Sequence, residues 1–373
     1  MIKVPFFVPD FDEREEQAVL DVLRSGWIAM GPSVEAFEKA FAKALGCRFA
    51  VALNSCTAAL HIANILAELG PGDEVIVPSL TFAATANAVH FTGATPIFAD
   101  VVGPDDWTLC PDSVRARITP RTKAIVPMHY AGYPCDMDAF LHMADEHDLS
   151  IIEDACHGLG GSIGGKAMGT VGSMGCFSFY SNKIMTTGEG GMLTTDDEAL
   201  AQRARAIRSH GQTKTAVDRM RGAMGYDITE VGYNYRLDDL RASIGLVQLE
   251  RLSTSVTRRG ELVALYKSEL ADVEHVHIPD HGGRGEPAHY ILPACVKGVD
   301  RDALRQAMTE DGIQTSMHYP PVHHFAHYID STLELPHTEW VGKNAFSLPL
   351  YPSMTKEQVG QVCDSIRRRI GAI

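Results

Sequence analysis

The sequence has no closely spaced cysteine pair, no long apolar run and a shortage of basic residues. Its eight cysteines stand alone, and none belongs to a Cys-x-x-Cys pair. Isolated cysteines of this kind favour free thiols in a reducing compartment over a disulfide framework. No apolar stretch approaches the roughly 20 residues that cross a bilayer, and the N-terminus turns acidic too early for a signal peptide. We therefore expect a cytoplasmic protein that does not bind membranes.

The charge balance bears on the kind of partner. The chain has 33 Lys and Arg residues against 47 Asp and Glu residues, which gives a formal net charge of −14. Nucleic-acid-binding proteins normally carry a basic face, so this balance argues against a nucleic-acid partner. It does not exclude a small anionic substrate, because a local site can oppose the global sign. With 373 residues, 45% of them apolar, the chain is long enough for two domains.

Short apolar segments alternate with amphipathic helical patterns over the first two thirds of the chain. Seven segments have the pattern of strands: 48–53, 74–79, 95–100, 123–129, 149–155, 175–179 and 190–195. Several are apolar throughout, as strands are when helices cover both faces of a sheet, so we predict an α/β fold with a mostly parallel sheet. A long helical stretch begins at Leu237, and Gly260 could mark a break in it. We place a large domain at residues 1–250 and a smaller C-terminal α+β domain at residues 251–373.

Two residues at strand ends suggest a chemistry. The strand at 149–155 ends in Glu153-Asp154, at the sheet edge where open α/β sheets bind ligands. Lys183 lies between the last two predicted strands and is followed by the Gly-rich run 188–191. Taken singly, Asp154 could be a helix cap and Lys183 a solvated turn residue. Burial between the strands would instead lower the pKa of Lys183, as a Schiff-base lysine requires.

Together, the two residues supply what pyridoxal phosphate (PLP) needs from a protein. A carboxylate keeps the pyridine nitrogen protonated, and a lysine holds the aldehyde carbon as an imine. A phosphate site is also present, because Cys56 and Thr57 follow a strand and open a predicted helix, whose first amides attract anions. Ser178 could add a hydroxyl and Phe82 could cover the ring, although such residues more commonly serve as N-caps and in core packing.

Longer segments of the sequence resemble the DegT/DnrJ/EryC1/StrS family of PLP-dependent sugar aminotransferases. The resemblance runs from GWIAMGPSVEAFEKAFAKALG through NSCTAAL, EDACHGLG and FSFYSNKIMTTGEGGML to GYNYRLDDLRASIGLVQLERL, HYPPVHHF and SLPLYPSMT. It covers nearly the whole chain in the family's order and spacing. The resemblance implies the type I, aspartate-aminotransferase-like fold and a homodimer.

The resemblance also assigns roles to individual residues. Lys183 would hold the cofactor and move the proton, Asp154 would pair with the pyridine nitrogen, and Phe82 would stack on the ring. The remaining implied cofactor contacts are His157 at the ring hydroxyl, Cys56, Thr57 and Ser178 at the phosphate, and Asn234 at the phosphate of the neighbouring subunit. For the substrate, the resemblance suggests His318, Tyr319 and His323.

Two positions depart from the family's usual pattern. Cys56 stands where a glycine is common, and Ile184 follows the lysine where asparagine is usual. Members that remove a sugar hydroxyl have histidine in place of the lysine, so Lys183 favours transamination. We expect transfer of an amino group from glutamate to a nucleotide-linked 4-keto or 3-keto-6-deoxyhexose. The alternatives are a keto-cyclitol aminotransferase using glutamine and a catalytically silent PLP-binding regulatory protein.

A nucleotide-binding loop and a metal site are each suggested by one pattern and disfavoured by its details. Residues 160–166 match GxxxxGK, but Ala167 replaces the hydroxyl residue of a nucleotide-binding loop, so a Gly-rich connection is favoured. The histidines at 318, 323, 324 and 327 have no carboxylate or cysteine at a recognised metal-ligand spacing. We therefore predict no metal site.

Overall fold

The seven predicted strands form a single sheet. In the computed structural model, which describes residues 2–214, 218, 222–330 and 332–371, the order of the strands in this sheet is β1-β11-β10-β7-β6-β2-β3. The pairs from β10 to β3 are parallel, and β11 runs antiparallel to both of its neighbours. In chain order the strands are β1 Phe49–Leu53, β2 Glu74–Pro78, β3 Thr95–Ala99, β4 Val101–Gly103, β5 Asp106–Leu109, β6 Thr122–Ile125, β7 Ser150–Asp154, β8 Ser162–Ile163, β9 Lys166–Ala167, β10 Met174–Ser178, β11 Gly191–Thr195, β12 Val276–His277, β13 Leu292–Val296 and β14 Ala345–Leu348. The prediction of a mostly parallel α/β sheet is confirmed.

Helices pack on both faces of this sheet. The α-helices of the described residues, in the whole fold, are α1 Glu13–Ser25, α2 Pro32–Leu45, α3 Cys56–Leu66, α4 Ala84–His90, α5 Pro111–Arg115, α6 Met137–His147, α7 Glu198–Ile207, α8 Asp239–Glu250, α9 Leu252–Glu269, α10 Arg301–Glu310, α11 Pro336–Asn344 and α12 Lys356–Ile370. Ile152 of β7 packs in a core cluster with residues of α3, α4 and α7, whereas Ile151 packs with Phe140 of α6. Because successive side chains of a strand point to opposite faces, Asp154 lies on the α3 side and Glu153 on the α6 side.

The C-terminal part of the chain forms a second core around a small sheet. Its strands have the order β12-β13-β14 and are antiparallel, with α9, α10 and α12 packed beside them. The N-terminal segment belongs to this core as well, since Val4 is fully buried in it and pairs with Ile313. The long helical stretch breaks at Arg251, between α8 and α9, and Gly260 lies inside α9, so the break expected near Gly260 is wrong.

The GxxxxGK segment forms a hairpin. Strands β8 and β9 pair through Ser162↔Ala167 and Ile163↔Lys166, and the turn residues Gly164 and Gly165 both have positive φ. Glycine adopts this conformation without a steric penalty, which accounts for the two glycines. Among the described residues, no helix is long and apolar enough to cross a membrane.

Candidate active site

A cleft of about 430 Å³ opens at the end of the main sheet where β7 and β10 terminate. It is lined by eight of the residues predicted from the sequence. These are Cys56, Thr57, Phe82, Asp154, Ser178, Lys183, His318 and Tyr319. They come from six separate parts of the chain, so the fold brings together side chains that are far apart in the sequence.

The Asp154 carboxylate forms the floor of this cleft. It is 2% exposed, and its Oδ2 accepts a hydrogen bond of 2.7 Å from the Thr85 hydroxyl. Its Oδ1 accepts the amide N–H of Cys156 at 3.2 Å. A carboxylate has about four acceptor positions, so Asp154 keeps the capacity to accept a proton-bearing group from the cleft.

The N-terminus of α3 forms one wall of the cleft. Ser55 caps the helix by accepting the amide N–H of Ala58, while Cys56 and Thr57 are the first helical residues. The first amides of a helix have no intrahelical acceptor and lie at the positive end of the helix dipole. Strand β11 approaches this wall closely, because a Cβ at Gly191 would lie 2.4 Å from the carbonyl oxygen of Ser55 and 2.6 Å from the Cys56 nitrogen. Because glycine has no side chain, position 191 leaves room for the N-terminus of α3 to lie this close to β11.

Lys183 is 9% exposed and projects into the cleft from the segment between β10 and β11. Its Nζ lies 4.1 Å from the centroid of the Tyr290 ring. Burial lowers the pKa of Lys183, but Tyr290 and the Cys156 and Cys56 thiols raise it, and the net shift is upward. The expectation of a lowered pKa is therefore wrong in direction, because sequence reasoning counted the burial and not the neighbours.

His157 lies behind the cleft wall and forms part of a hydrogen-bonded chain. Its Nδ1 accepts the amide N–H of Ala131 at 3.2 Å, and its Nε2 is 2.9 Å from the Tyr319 hydroxyl oxygen. Burial, followed by the charge of Lys183 and His318, lowers the pKa of His157 well below its usual value. A neutral ring whose Nδ1 accepts must carry its proton on Nε2, so His157 donates to Tyr319. The Tyr319 hydroxyl proton is then available for an acceptor in the cleft.

His318 is held by groups from two distant parts of the chain. Its Nδ1 is 2.9 Å from the Ser347 hydroxyl, and its carbonyl oxygen accepts the Tyr130 hydroxyl. Burial, with a smaller effect of Lys183 and Arg305, lowers the pKa of His318 to about 3. The imidazole is therefore neutral at physiological pH and can offer hydrogen bonds to a ligand but no charge.

Besides His157, two predicted site residues do not line the cleft. Asn234 is exposed on the surface, and its carbonyl oxygen accepts a hydrogen bond of 3.4 Å from the Asn54 amide. His323 is 4% exposed, with Nδ1 2.6 Å from the Ser79 hydroxyl and Nε2 2.8 Å from Glu339 Oε1. Both ring nitrogens of His323 are thus occupied by the protein itself, which does not support a sugar contact.

The histidine cluster does have a carboxylate neighbour. His324 Nε2 lies 3.0 Å from the same Glu339 oxygen, and His323, His324 and Glu339 offer ligand atoms within 4.8 Å of one another. The expectation that no carboxylate accompanies these histidines holds for sequence spacing and is wrong for the fold, because α11 brings Glu339 to them.

Sequence reasoning missed three residues that line the cleft and contact the predicted ones. Thr85 donates to Asp154, the Cys156 amide does the same, and Tyr290 lies beside Lys183. Thr85 is three residues after Phe82 and is the second residue of α4, so its place in the segment that follows β2 is a usable signal. Tyr290 follows the Gly/Pro-rich run 282–287 and carries no local signal of this kind.

The donor set of this cleft fits PLP. A buried carboxylate faces a lysine across the cavity, hydroxyls of Thr57 and Ser178 stand near the amino end of α3, and the Phe82 ring is 59% exposed at the mouth. Those groups match the pyridine nitrogen, the aldehyde, the phosphate and the ring face of the cofactor. The fold and this cleft define a PLP-dependent aminotransferase.

Comparison with known proteins gives the family. The chain matches the DegT/DnrJ/EryC1/StrS aminotransferase family over residues 9–367, and it belongs to that family. It is 41% identical to the spore coat polysaccharide biosynthesis protein SpsC of Bacillus subtilis, over 98% of this chain and 96% of SpsC. The enzyme is a sugar aminotransferase with PLP as its cofactor.

Solved structures agree in fold over the full length. The aminotransferase TlmJ from Streptoalloteichus hindustanus superposes with a TM-score of 0.92 at 34% identity, covering 100% of this chain and 99% of TlmJ. The PLP form of Spr1654 from Streptococcus pneumoniae gives a TM-score of 0.92 at 30% identity, covering 99% of both chains.

Proposed function

We propose that this enzyme transfers an amino group from glutamate to a nucleotide-linked 4-keto or 3-keto-6-deoxyhexose, as a homodimer in the cytoplasm. The observation that carries the proposal is the presence of Lys183 and Asp154 in one cleft with the N-terminus of α3. The similarity to SpsC, a polysaccharide biosynthesis protein, supports a sugar as the amino acceptor. PLP, when bound, supplies an electron sink that stabilises negative charge at the carbon losing its proton.

The protein's part in cofactor binding follows from three groups. Asp154 would accept a hydrogen bond from the pyridine nitrogen, and Thr85 holds the carboxylate in position through the 2.7 Å bond to Oδ2. The phosphate would bind the amides of Cys56 and Thr57, where only the backbone of Cys56 is needed, so its side chain in place of glycine is tolerated. Ser178, at the end of β10, would add a hydroxyl donor.

Lys183 would attach the cofactor and, once released, move a proton between the substrate carbon and the cofactor. General base catalysis needs an amine within reach of that carbon, and the buried position of Lys183 restricts its motion to the cleft. Lys183 is 9% exposed, so bulk water has little access to its amine, which favours delivery of the proton from one carbon to the other.

The sugar would bind at the open side of the cleft against His318 and Tyr319. Since His157 donates to Tyr319, the Tyr319 hydroxyl is oriented as a donor to an acceptor such as a sugar oxygen. The neutral His318 ring offers a second hydrogen-bonding group. His323 has no part in this proposal.

Each cleft would be completed by a second subunit. Asn234 is exposed and lies outside the cleft of its own chain. An amide side chain on the surface can reach the phosphate of a neighbouring cleft, and we expect Asn234→Ala to weaken PLP binding without affecting folding. Size-exclusion chromatography with light scattering measures the dimer, and a monomer with full activity would contradict this part of the proposal.

The central test is attachment of PLP to Lys183. The protein is incubated with PLP, reduced with borohydride and digested, and we expect mass spectrometry to find the phosphopyridoxyl group on the peptide containing Lys183. Lys183→Ala should lose both the label and turnover, whereas Lys166→Ala, at the exposed first residue of β9, should retain both. A label on another lysine, or none, would contradict the proposal.

The substrate is tested with the cofactor already in its amino form. Enzyme loaded with pyridoxamine phosphate is mixed with a panel of keto-sugars, and the proposed nucleotide-linked hexoses should restore the PLP form. Restoration by a keto-cyclitol alone, with glutamine as the better donor, would replace the proposed substrates. Binding of PLP with no amino exchange toward any acceptor would identify a regulatory protein.

A further inference from the structure

Tyr290 lies between the two groups that the cofactor chemistry uses. Its ring centroid is 4.1 Å from Lys183 Nζ and 4.3 Å from the centroid of the His157 ring. The residue is 3% exposed and comes from the C-terminal part of the chain, whereas Lys183 and His157 come from the large sheet. Tyr290 therefore connects the two parts of the molecule at the reacting amine.

The backbone of Tyr290 is held from both sides. Its amide N–H donates to the Ala131 carbonyl at 3.0 Å, and its own carbonyl accepts Arg259 Nη1 at 3.0 Å. Arg259 is 1% exposed, and the same Nη1 donates to the Leu350 carbonyl at 3.1 Å. A buried arginine that holds two carbonyl groups fixes the position of the Tyr290 ring.

The Tyr290 side chain is fixed as well. Its hydroxyl lies 2.9 Å from Asn182 Oδ1, and a carbonyl-type oxygen can only accept, so Tyr290 is the donor. The lone pairs of the Tyr290 hydroxyl and the electron-rich face of its ring are not used by this hydrogen bond and can interact with a cationic neighbour. The ammonium of Lys183 is that neighbour, and tyrosine rings attract ammonium groups at such distances.

An unattached lysine in this cleft needs such a partner. Burial by itself lowers the pKa of Lys183, and Tyr290 has the largest effect among the neighbours that raise it. Burial raises the pKa of the Cys56 and Cys156 thiols and of the Tyr290 hydroxyl, so all three groups are protonated at neutral pH. The Tyr290 ring, whose centroid is 4.1 Å from Lys183 Nζ, can attract an ammonium group without being ionised, and it therefore replaces part of the hydration that the released amine loses.

We propose that Tyr290 is a positioning residue that holds the amino group of Lys183 over its ring whenever that group is not attached to the cofactor. The inference rests on the proposed role of Lys183. It predicts that Tyr290 raises the proton affinity of the Lys183 amine and keeps this amine close to the reacting carbon. It also predicts that Tyr290 does not contribute to sugar binding.

The test uses apoenzyme, PLP and two variants, Tyr290→Leu and Tyr290→Phe. The rate at which borohydride fixes PLP on Lys183 is measured across pH, since only the neutral amine attacks the aldehyde. Without the ring, burial dominates, so Tyr290→Leu should shift the midpoint of this profile down by about one pH unit. Tyr290→Phe keeps the ring and should shift it by less than half as much.

Turnover gives a second readout. We expect Tyr290→Leu to lower kcat about tenfold with little change in KM for the sugar, because the released amine is no longer held near the carbon. Tyr133→Leu is the matched control, since Tyr133 is a buried tyrosine that stacks on His281 at 4.0 Å and does not line the cleft. It should leave the pH midpoint unchanged.

The outcomes separate this inference from the proposed function. Failure of the wild-type protein to take up PLP on Lys183 would overturn the proposed function. Labelling of Lys183 with an unchanged or raised midpoint in Tyr290→Leu would overturn only the role of Tyr290. If Tyr290→Leu does not fold, Tyr290→Met, which also lacks the ring, takes its place, and an unchanged midpoint in folded Tyr290→Met overturns the role.

Discussion

Two neighbouring carboxylates at the end of β7 lie in opposite surroundings. Glu153 is fully buried and accepts three backbone N–H groups, from Gly169 at 2.8 Å and from Val171 and Gly172 at 2.7 Å each. His129 Nε2 donates to the same carboxylate at 2.9 Å. Asp154, the next residue, receives one hydroxyl and one amide from the protein and faces the cleft.

The difference shows how two adjacent acids at one strand end can be a structural acid and a candidate for ligand binding. Protein donors fill the acceptor positions of Glu153, so it holds the loop 169–172 against the sheet and has nothing left for a ligand. Asp154 is also buried but has unfilled acceptor positions. Burial and residue type do not distinguish these two carboxylates, whereas the number of protein donors around each of them does.

The largest effect is expected from changing the acid on the cleft side. Asp154→Asn keeps the shape and the Thr85 contact but removes the negative charge, so kcat should fall by on the order of 10³-fold at saturating PLP. The free energy of unfolding should change little. Steady-state kinetics and urea unfolding measure the two, and activity within tenfold of wild type would contradict the role of Asp154.

The matched substitution at Glu153 should lower the stability of the protein rather than its activity. Glu153→Gln leaves four donors around a group that can accept fewer of them, and breaking such a buried arrangement costs about 3 kcal/mol of unfolding free energy. The kcat of the folded fraction should stay close to wild type. Loss of kcat without loss of stability would mean that Glu153 acts in the cleft and would break the comparison.

A smaller effect is expected from the residue that holds Asp154. Thr85→Val removes the hydroxyl donor at an almost unchanged volume, and a lost hydrogen bond to a charged group should lower kcat about tenfold. Thr81→Val is the control, because the Thr81 hydroxyl is 2.8 Å from that of Thr85 and does not reach Asp154. An equal loss in both variants would point to packing rather than to the carboxylate.

The smallest effect is the contribution of His318, on the cleft side, to the pH dependence of the free energy of unfolding. Burial lowers the pKa of His318 to about 3, so between pH 6.5 and pH 3 the unfolded chain binds a proton there that the folded chain does not. This contribution is complete above pH 6.5 and is lost as the pH falls, by up to about 1.4 kcal/mol per pH unit. His318→Asn should flatten the decline of unfolding free energy between pH 6.5 and 5, and an unchanged slope would contradict the assignment.

The sequence predicts the sheet well because its strands are apolar and evenly interrupted. Asp154 and Lys183 can be proposed from the sequence because Asp154 ends β7 and Lys183 follows the end of β10 by five residues, and parallel strands align such ends at one edge. Tyr290 and the neighbours that raise the pKa of Lys183 were not, because only the packing of the C-terminal part against the sheet brings them there. The cluster of histidines around His323 is visible in the sequence, whereas the contacts of His323 with Ser79 and Glu339 are not, so the suggested sugar contact could not be weighed against them.

The N-terminal segment has a consequence for biosynthesis. Val4 pairs with Ile313, and its carbonyl accepts the amide of Gln314, so this segment has its partners about 300 residues further along the chain. Contacts of such sequence separation form late and slow folding. During translation Val4 therefore stays without these partners until the segment around Ile313 has been made, and a bulky tag fused near Val4 would interfere with a contact that forms late.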